Sequence, residues 1–203
     1  MRRRPLRPLA ITAVVACLSL LGLAACGSGG GATDARGGAV DPNAPEVNPP
    51  GDIPDNQVFV PYQFPDGSFT VKVPEGWSRT EQDGIVTFTD NFNSISLSTA
   101  PAGAAPTVGS ATTDEVPAIA AAAPGYEAGT VEAVTRSAGP AVRITYRGDS
   151  PPDAVTGHTA KLDVERYEFF HGGHEIVLTL SGPRGADNVD PWRLVTDSVQ
   201  YGP

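Results

Sequence analysis

An α+β domain, an antiparallel sheet with helices packed against it, is the fold class this sequence predicts, and three observations lead there. Short runs of alternating apolar and polar residues recur between Phe69 and Leu180, the period of half-buried antiparallel strands. Gly172-Gly173 separates two such runs as a two-residue hairpin turn. A well-delimited helix closes the chain, with Trp192, Val195 and Val199 at i, i+3 and i+7 forming an apolar stripe for the sheet.

The first segment is an address. Arg2, Arg3, Arg4 and Arg7 make a basic start, and Leu9 to Leu23 is an apolar run of the length a secretory signal needs. It is shorter than the roughly 20 apolar residues of a membrane span. The run ends in Leu23-Ala24-Ala25-Cys26, followed by Gly27 and Ser28, which resembles a bacterial lipobox. That resemblance implies that residues 1–25 are a signal peptide cut before Cys26 and that the Cys26 thiol carries a diacylglycerol, with palmitate-like chains. An uncleaved anchor is the alternative, opposed by the lipobox and its flanking glycines. Two or three acyl chains hold a protein far more firmly than one, so the expected location is the extracytoplasmic side of the cell membrane, reached through the N-terminal lipid.

Charge and cysteine content then exclude several classes. The full chain carries a net charge of −9 with two cysteines, and without residues 1–25 it has 10 basic against 23 acidic side chains, a net of −13. Such a balance repels nucleic acid, which is not an expected partner. Cys17 leaves with the signal and Cys26 is acylated, so no disulfide, cysteine-ligated zinc or catalytic thiol is expected.

Residues 26–60 read as the lipidated Cys followed by a flexible Gly/Pro/Ala-rich tether, since the few large apolar residues show no period. A coil of this length spans about 30–35 Å in r.m.s. terms. Residues 61–203 are left as one domain. Phe69, Val71 and Val73 alternate with Thr70 and Lys72, and Pro74-Glu75-Gly76-Trp77 stops that strand. Ile85 to Thr89 and Ser94 to Thr99 flank Asp90-Asn91, so the three strands read as a meander. After a Pro/Gly/Ala/Thr loop, Asp114 to Ala123 is a short helix ended by Pro124-Gly125. Thr112 with Glu115 matches a capping box, but Asp114 as N-cap puts Pro117 where no helical bond is lost, and is preferred.

Thr130 to Arg136 and Ala141 to Arg147 form another strand pair, and Ser150-Pro151-Pro152-Asp153 a turn. Pairing about Gly172-Gly173 sets His171 opposite His174, Phe169 opposite Ile176 and Tyr167 opposite Leu178, which places the apolar residues on one face. Leu162 and Val164 have the opposite parity. A β-bulge near Glu165 or Arg166 accounts for the switch, and so does a strand covered on both faces. In the closing helix Asp190 is the N-cap, Pro191 is N1, and Val189 is placed to staple against Leu194.

The run from Phe69 to Trp77, Phe-Thr-Val-Lys-Val-Pro-Glu-Gly-Trp, is similar to the FxVxxPxGW opening of the PsbP/Mog1-like superfamily. Asp190-Pro191-Trp192-Arg193 through Ser198-Val199-Gln200-Tyr201, after a strong hairpin and behind a lipobox, resembles the LpqN-type lipoproteins of mycobacteria and other actinobacteria. The resemblance covers residues 62 to 202. It implies an α/β/α-like sandwich and a binding or accessory role, and it supplies no motif-defined catalytic residue. In this reading Gly76 serves the turn and Trp77 supplies buried area.

Candidates for chemistry are few. His171-Gly172-Gly173-His174-Glu175 sets two imidazoles across a turn, as a metal site would, yet Glu175 points to the other face and hairpin tips are solvated. The segment does not match HExxH, and GxSxG and SxxK are absent from the mature chain. Asp187, Asp190 and Asp197 lack the spacing of a calcium loop. Gly182-Pro183-Arg184-Gly185 reads as a loop without phosphate-binding context. Arg143 and Arg147 share one strand face, and Arg166 is the further candidate for the same basic patch. Ion pairs with Glu165 or Glu168 would occupy these arginines; a carboxylate- or phosphate-bearing ligand is the other reading. The expected function is a non-enzymatic binding or accessory module for an envelope protein, glycolipid or lipid, without cofactor or metal. A hydrolase or metal-dependent enzyme using His171 and His174 is the alternative.

Overall fold

The alternating segments become strands in the computed structural model, which describes residues 51–153 and 156–203. The expected signal peptide, the Cys26 lipidation site and residues 26–50 of the tether lie outside the described residues. In chain order the strands are Phe59–Gln63 (β1), Phe69–Pro74 (β2), Ser78–Gln82 (β3), Ile85–Asp90 (β4), Asn93–Pro101 (β5), Glu127–Arg136 (β6), Gly139–Asp149 (β7), Lys161–His171 (β8), His174–Pro183 (β9) and Gln200–Tyr201 (β10). The helical segments are Val108–Ser110 (α1), a π turn over Ala111–Glu115, Val116–Ala122 (α2) and Val189–Asp197 (α3). Strands pair antiparallel into a small sheet, β1-β2-β10, and a large one, β3-β4-β5-β9-β8-β7-β6.

Register sorts the side chains of the large sheet onto two faces, because directly opposed residues point the same way. On the inner face Tyr167 opposes Arg143 and Leu178, and Phe169 opposes Ala141 and Ile176. With Val86, Phe88, Ile95, Leu97 and Leu180 they pack against Phe69, Val71 and Val73 of β2 and against Trp192, Val195 and Val199. Full burial of each such side chain contributes about 1.5–3 kcal/mol. On the outer face Val142 and Ile144 pack beneath Ala111, Val116 and Ile119. Helices therefore cover both sides of the sheet, which is the expected α+β sandwich.

The hairpin forms as the sequence predicts. Gly172 and Gly173 both have positive φ, +58° and +81°, as a type I′ turn requires, and the expected His171, Phe169 and Tyr167 pairings are all present. Strand β8 contains no bulge: it pairs without interruption with β7 and β9 from Leu162 to Phe169. Its parity switch arises because both faces are covered, with Val164 and Glu168 buried outside and Tyr167 and Phe169 inside. The register shift lies instead in β6, between Ala128 and Val131. There the Thr130 N–H donates to Thr145 Oγ1 at 2.8 Å, and a Cβ on Gly129 would strike the Thr145 carbonyl.

Several expectations are corrected. Strand β2 belongs to the small sheet, and the meander partner of β4 is β3, joined through Asp83-Gly84 with both φ positive. Within residues 51–60, assigned from sequence to the tether, Ile53 is 4% exposed and packs in the core, and β1 begins at Phe59. The first helical stretch starts at Thr107, whose side chain forms a capping box with Ser110, and Asp114 falls inside the π turn. The Val116 N–H reaches back five residues to the Ala111 carbonyl, and Pro117, which has no N–H to give, follows at the start of α2. Helix α3 begins two residues early, with Asn188 at the N-cap and Asp190 in the first turn. Val189 and Leu194 are 70% and 42% exposed, so no staple forms. The stripe of Trp192, Val195 and Val199 is buried as expected, and Trp77 is half-buried against the core.

Candidate functional site

A cavity of about 400 Å³ opens on the inner face, between the β6–β8 end of the large sheet and the segment that leads into α3. Strand alternation sends Thr145, Arg147, Asp163 and Glu165 to its floor, while Pro183, Ala186, Val189 and Trp192 form an apolar wall. Gly129, whose backbone lies too close to Thr145 to admit a Cβ, borders it.

A chain of polar contacts lies behind the floor. Arg143 bridges Glu132 at 2.6 Å and Glu165 at 3.4 Å. The Tyr167 hydroxyl donates to Glu165 Oε2 at 2.6 Å and accepts from Arg136 Nη2 at 2.6 Å, and the Arg136 guanidinium lies 4.9 Å from the Tyr167 ring centroid. Burial, then the Glu165 carboxylate, push the Tyr167 phenol above its ordinary pKa. The group is therefore a fixed hydrogen-bond donor at neutral pH. Nε of Arg136 and of Arg143 is buried without a partner among the described residues.

The three candidate arginines do not form one patch. Arg143 and Arg147 share the inner face of β7, whereas Arg166 pairs with Ile144 and points outward. Each guanidinium meets two carboxylates: Arg143 as above, Arg147 with Asp163 at 2.9 Å and Glu127 at 3.8 Å, Arg166 with Glu115 at 2.9 Å and Glu168 at 2.7 Å. The pairs with Glu165 and Glu168 are those the sequence suggests. Little positive charge is left over to attract a phosphate or carboxylate.

At the hairpin tip, exposed His171 stacks on the Tyr201 ring with centroids 4.2 Å apart, and His174 Nδ1 lies 3.3 Å from the Gly172 carbonyl oxygen. Glu175 faces outward opposite Phe170. The backbone N–H of His158 donates to Thr156 Oγ1 within its own loop. Among the described residues no group of three or more His, Cys, Asp or Glu side chains is placed to hold a metal ion.

One cluster escaped the sequence reading. Asn188 Oδ1 accepts from the Ile53 N–H at 2.8 Å, and its Nδ2 donates to the Gly51 carbonyl and to Asn93 Oδ1. This ties the start of the domain to the wall of the cavity. An asparagine before a helix and another at a strand start read locally as a cap and a turn, so the only signal was their polarity beside apolar runs.

No known protein family model matches the chain, and no curated protein matches it. Among solved structures, cyanobacterial PsbP (CyanoP) from Synechocystis aligns over 74% of this chain and 98% of its own, at 17% identity and a TM-score of 0.50. The Saccharomyces cerevisiae Ran-binding protein Mog1p aligns over 71% and 96%, at 11% identity and a TM-score of 0.49. LpqN, involved in cell envelope biogenesis of Mycobacterium tuberculosis, aligns over 73% and 93%, at 12% identity and a TM-score of 0.38. The chain spans about half, 48%, of a Bacteroides thetaiotaomicron structure that it also matches. The CyanoP likeness shows the fold, and at that identity the fold alone: the chain has a PsbP/Mog1-like α+β architecture.

Proposed function

We propose that this protein is a lipid-anchored cell-envelope protein that acts as a non-enzymatic binding or accessory module. The inner-face cavity carries the reading: its carboxylate and hydroxyl floor faces an apolar wall built on Trp192, a pairing suited to an amphipathic ligand or to a segment of a partner protein. Its acids are occupied, Glu165 by Tyr167 and Arg143, Asp163 by Arg147 and the Gly185 N–H. That disfavours a general base here and favours a static recognition surface. The mechanism is display: a lipid on Cys26 fixes the chain at the membrane, and the residues after it set the reach of the domain.

The test is native mass spectrometry and in-cell crosslinking of the full chain from its host envelope, alongside Ala186→Trp, which fills the cavity. The expected result is a co-purifying amphiphile or one crosslinked envelope partner, lost in the variant while its melting curve is kept. Recovery of neither from the unaltered chain overturns the binding role. Cys26→Ser is expected to move the chain out of the membrane fraction; a variant that stays there rejects the lipid anchor.

A further inference from the structure

The outer face of the large sheet holds a second cavity, separate from the inner one. Glu168 is 0% exposed. Its Oε1 accepts from Arg166 Nε at 2.7 Å, whereas Oε2 is buried with no hydrogen-bond partner among the described residues. A carboxylate oxygen in that state is costly, because desolvation is not offset. Arg166 cannot offset it alone, since its Nη2 is engaged by Glu115 at 2.9 Å.

Glu168 lines a cavity of about 230 Å³ together with Asp114, Glu115 and Glu175, beneath a roof that includes Ala105 and Pro106. Four carboxylates from β8, β9 and the π turn thus line one cavity, and Arg166 pairs with two of them, Glu115 and Glu168. Burial raises the pKa of Glu168, with Arg166 opposing, and burial followed by repulsion from Glu168 and Glu115 raises that of Glu175. The site is short of positive charge. Ala105 and Pro106 also border a neighbouring cavity lined by Val142 and Phe170, so an apolar stem has a surface to follow.

We propose that this cavity binds an aliphatic primary ammonium group, with Glu168 Oε2 as its main acceptor and Glu175 and Glu115 balancing its charge. An ammonium is compact and brings three donors and the missing charge on a flexible stem. A phosphate or carboxylate would be repelled. A divalent metal fits less well, because no three of these acids converge on one ligand point among the described residues. The same chemistry is offered by a free diamine and by a lysine side chain of another polypeptide.

The experiment is calorimetric titration of the full chain at neutral pH with cadaverine, with Nα-acetyl-lysine amide, with 1-pentanol and with calcium ion. Saturable one-to-one binding of either amine, and none of pentanol, is expected. Glu168→Gln should weaken it about 10-fold or more. Glu175→Gln, at a less buried position, should weaken it by a smaller factor and guards against misfolding of the first variant. Acidification into the range where Glu168 and Glu175 protonate should weaken it too. Binding of cadaverine alone identifies a free amine as the source, and binding of the lysine amide alone a polypeptide. No saturable binding of either amine, unchanged affinity in both variants, or tighter binding of calcium than of cadaverine overturns the proposal.

Discussion

Tyr167 and Glu168 are adjacent in the chain, both are buried, and they face opposite sides of the same sheet. On Tyr167's side the hydroxyl both donates and accepts, and Arg136, Arg143 and Arg147 stand against Glu127, Glu132, Asp163 and Glu165 in near balance. On Glu168's side Arg166 pairs with Glu115 and Glu168 while Asp114 and Glu175 line the same cavity, and one Glu168 oxygen has no partner among the described residues. The inner face has the composition of a core, with its charges matched at one end. The outer face gives up stability at Glu168, and uncompensated burial of this kind is how binding sites differ from cores.

The largest test of that contrast sets one core residue against one outer one. Phe169→Ala, inside, is expected to cost about 3–5 kcal/mol, read from urea unfolding of the intact chain. Ser96→Ala, outside, loses only a hydroxyl contact to Thr87 at 3.0 Å and should stay within about 0.5 kcal/mol. Comparable costs would mean that the two faces are not different in kind. Next comes Gly182→Ala: its Cβ would fall 2.6 Å from both Asn188 Nδ2 and Asn93 Oδ1. A cost of about 1–3 kcal/mol is expected, with faster amide exchange at Ile53, and unchanged exchange there would show that the Asn188 cluster does not hold the domain's first residues.

These same residues show how far the fold was legible. Phe69 to Val73, the Gly172-Gly173 hairpin and the Trp192 stripe could be read because each carries its own period or turn chemistry. Strand β3, Ser-Arg-Thr-Glu-Gln, is exposed throughout and has no apolar residue to betray it, and β1 contains Pro61, which an edge strand tolerates but a sequence pattern does not reveal. The sheet to which β2 belongs is set by pairing with Gln200 and Tyr201, far along the chain. Alternation put Arg143 and Arg147 on one face. Arg166 could not be assigned, because the parity switch before Tyr167 fits a bulge and double coverage equally, and only tertiary packing separates them. The Asn188 bonds reach across 95 to 137 residues, beyond any local signal.

A pH titration sharpens the contrast further. Glu168 and Glu175 have raised pKa values, burial being the first cause in each. Between the ordinary carboxylate value and the raised one, the folded state holds protons that the unfolded state has released, so stability falls as pH rises through that window and returns on acidification. The melting temperature should therefore climb as pH is lowered from neutral toward the ordinary carboxylate range. Glu168→Gln should flatten the profile. A wild-type profile already flat there would mean that the outer acids are better solvated than their burial indicates.

The smallest effect belongs to Arg147, at the open end of the inner face. Its side chain is 49% exposed, and Asp163 and Glu127, at 2.9 and 3.8 Å, are about as exposed. Solvent screens such pairs, and holding long side chains in place costs entropy, so Arg147→Ala should cost about 0–1 kcal/mol and less at high salt. Arg143 differs although it lies only two residues away, since its partner Glu165 also accepts from the buried Tyr167 hydroxyl. Arg143→Ala leaves that carboxylate and the Tyr167 hydroxyl without their balancing charge, so it should cost more than Arg147→Ala and keep most of that cost at high salt. Equal, salt-sensitive costs for the two would make the whole row of ion pairs a solvated rim. A difference that survives salt makes Arg143 part of the core's closure and leaves Arg147 a solvated contact at its rim.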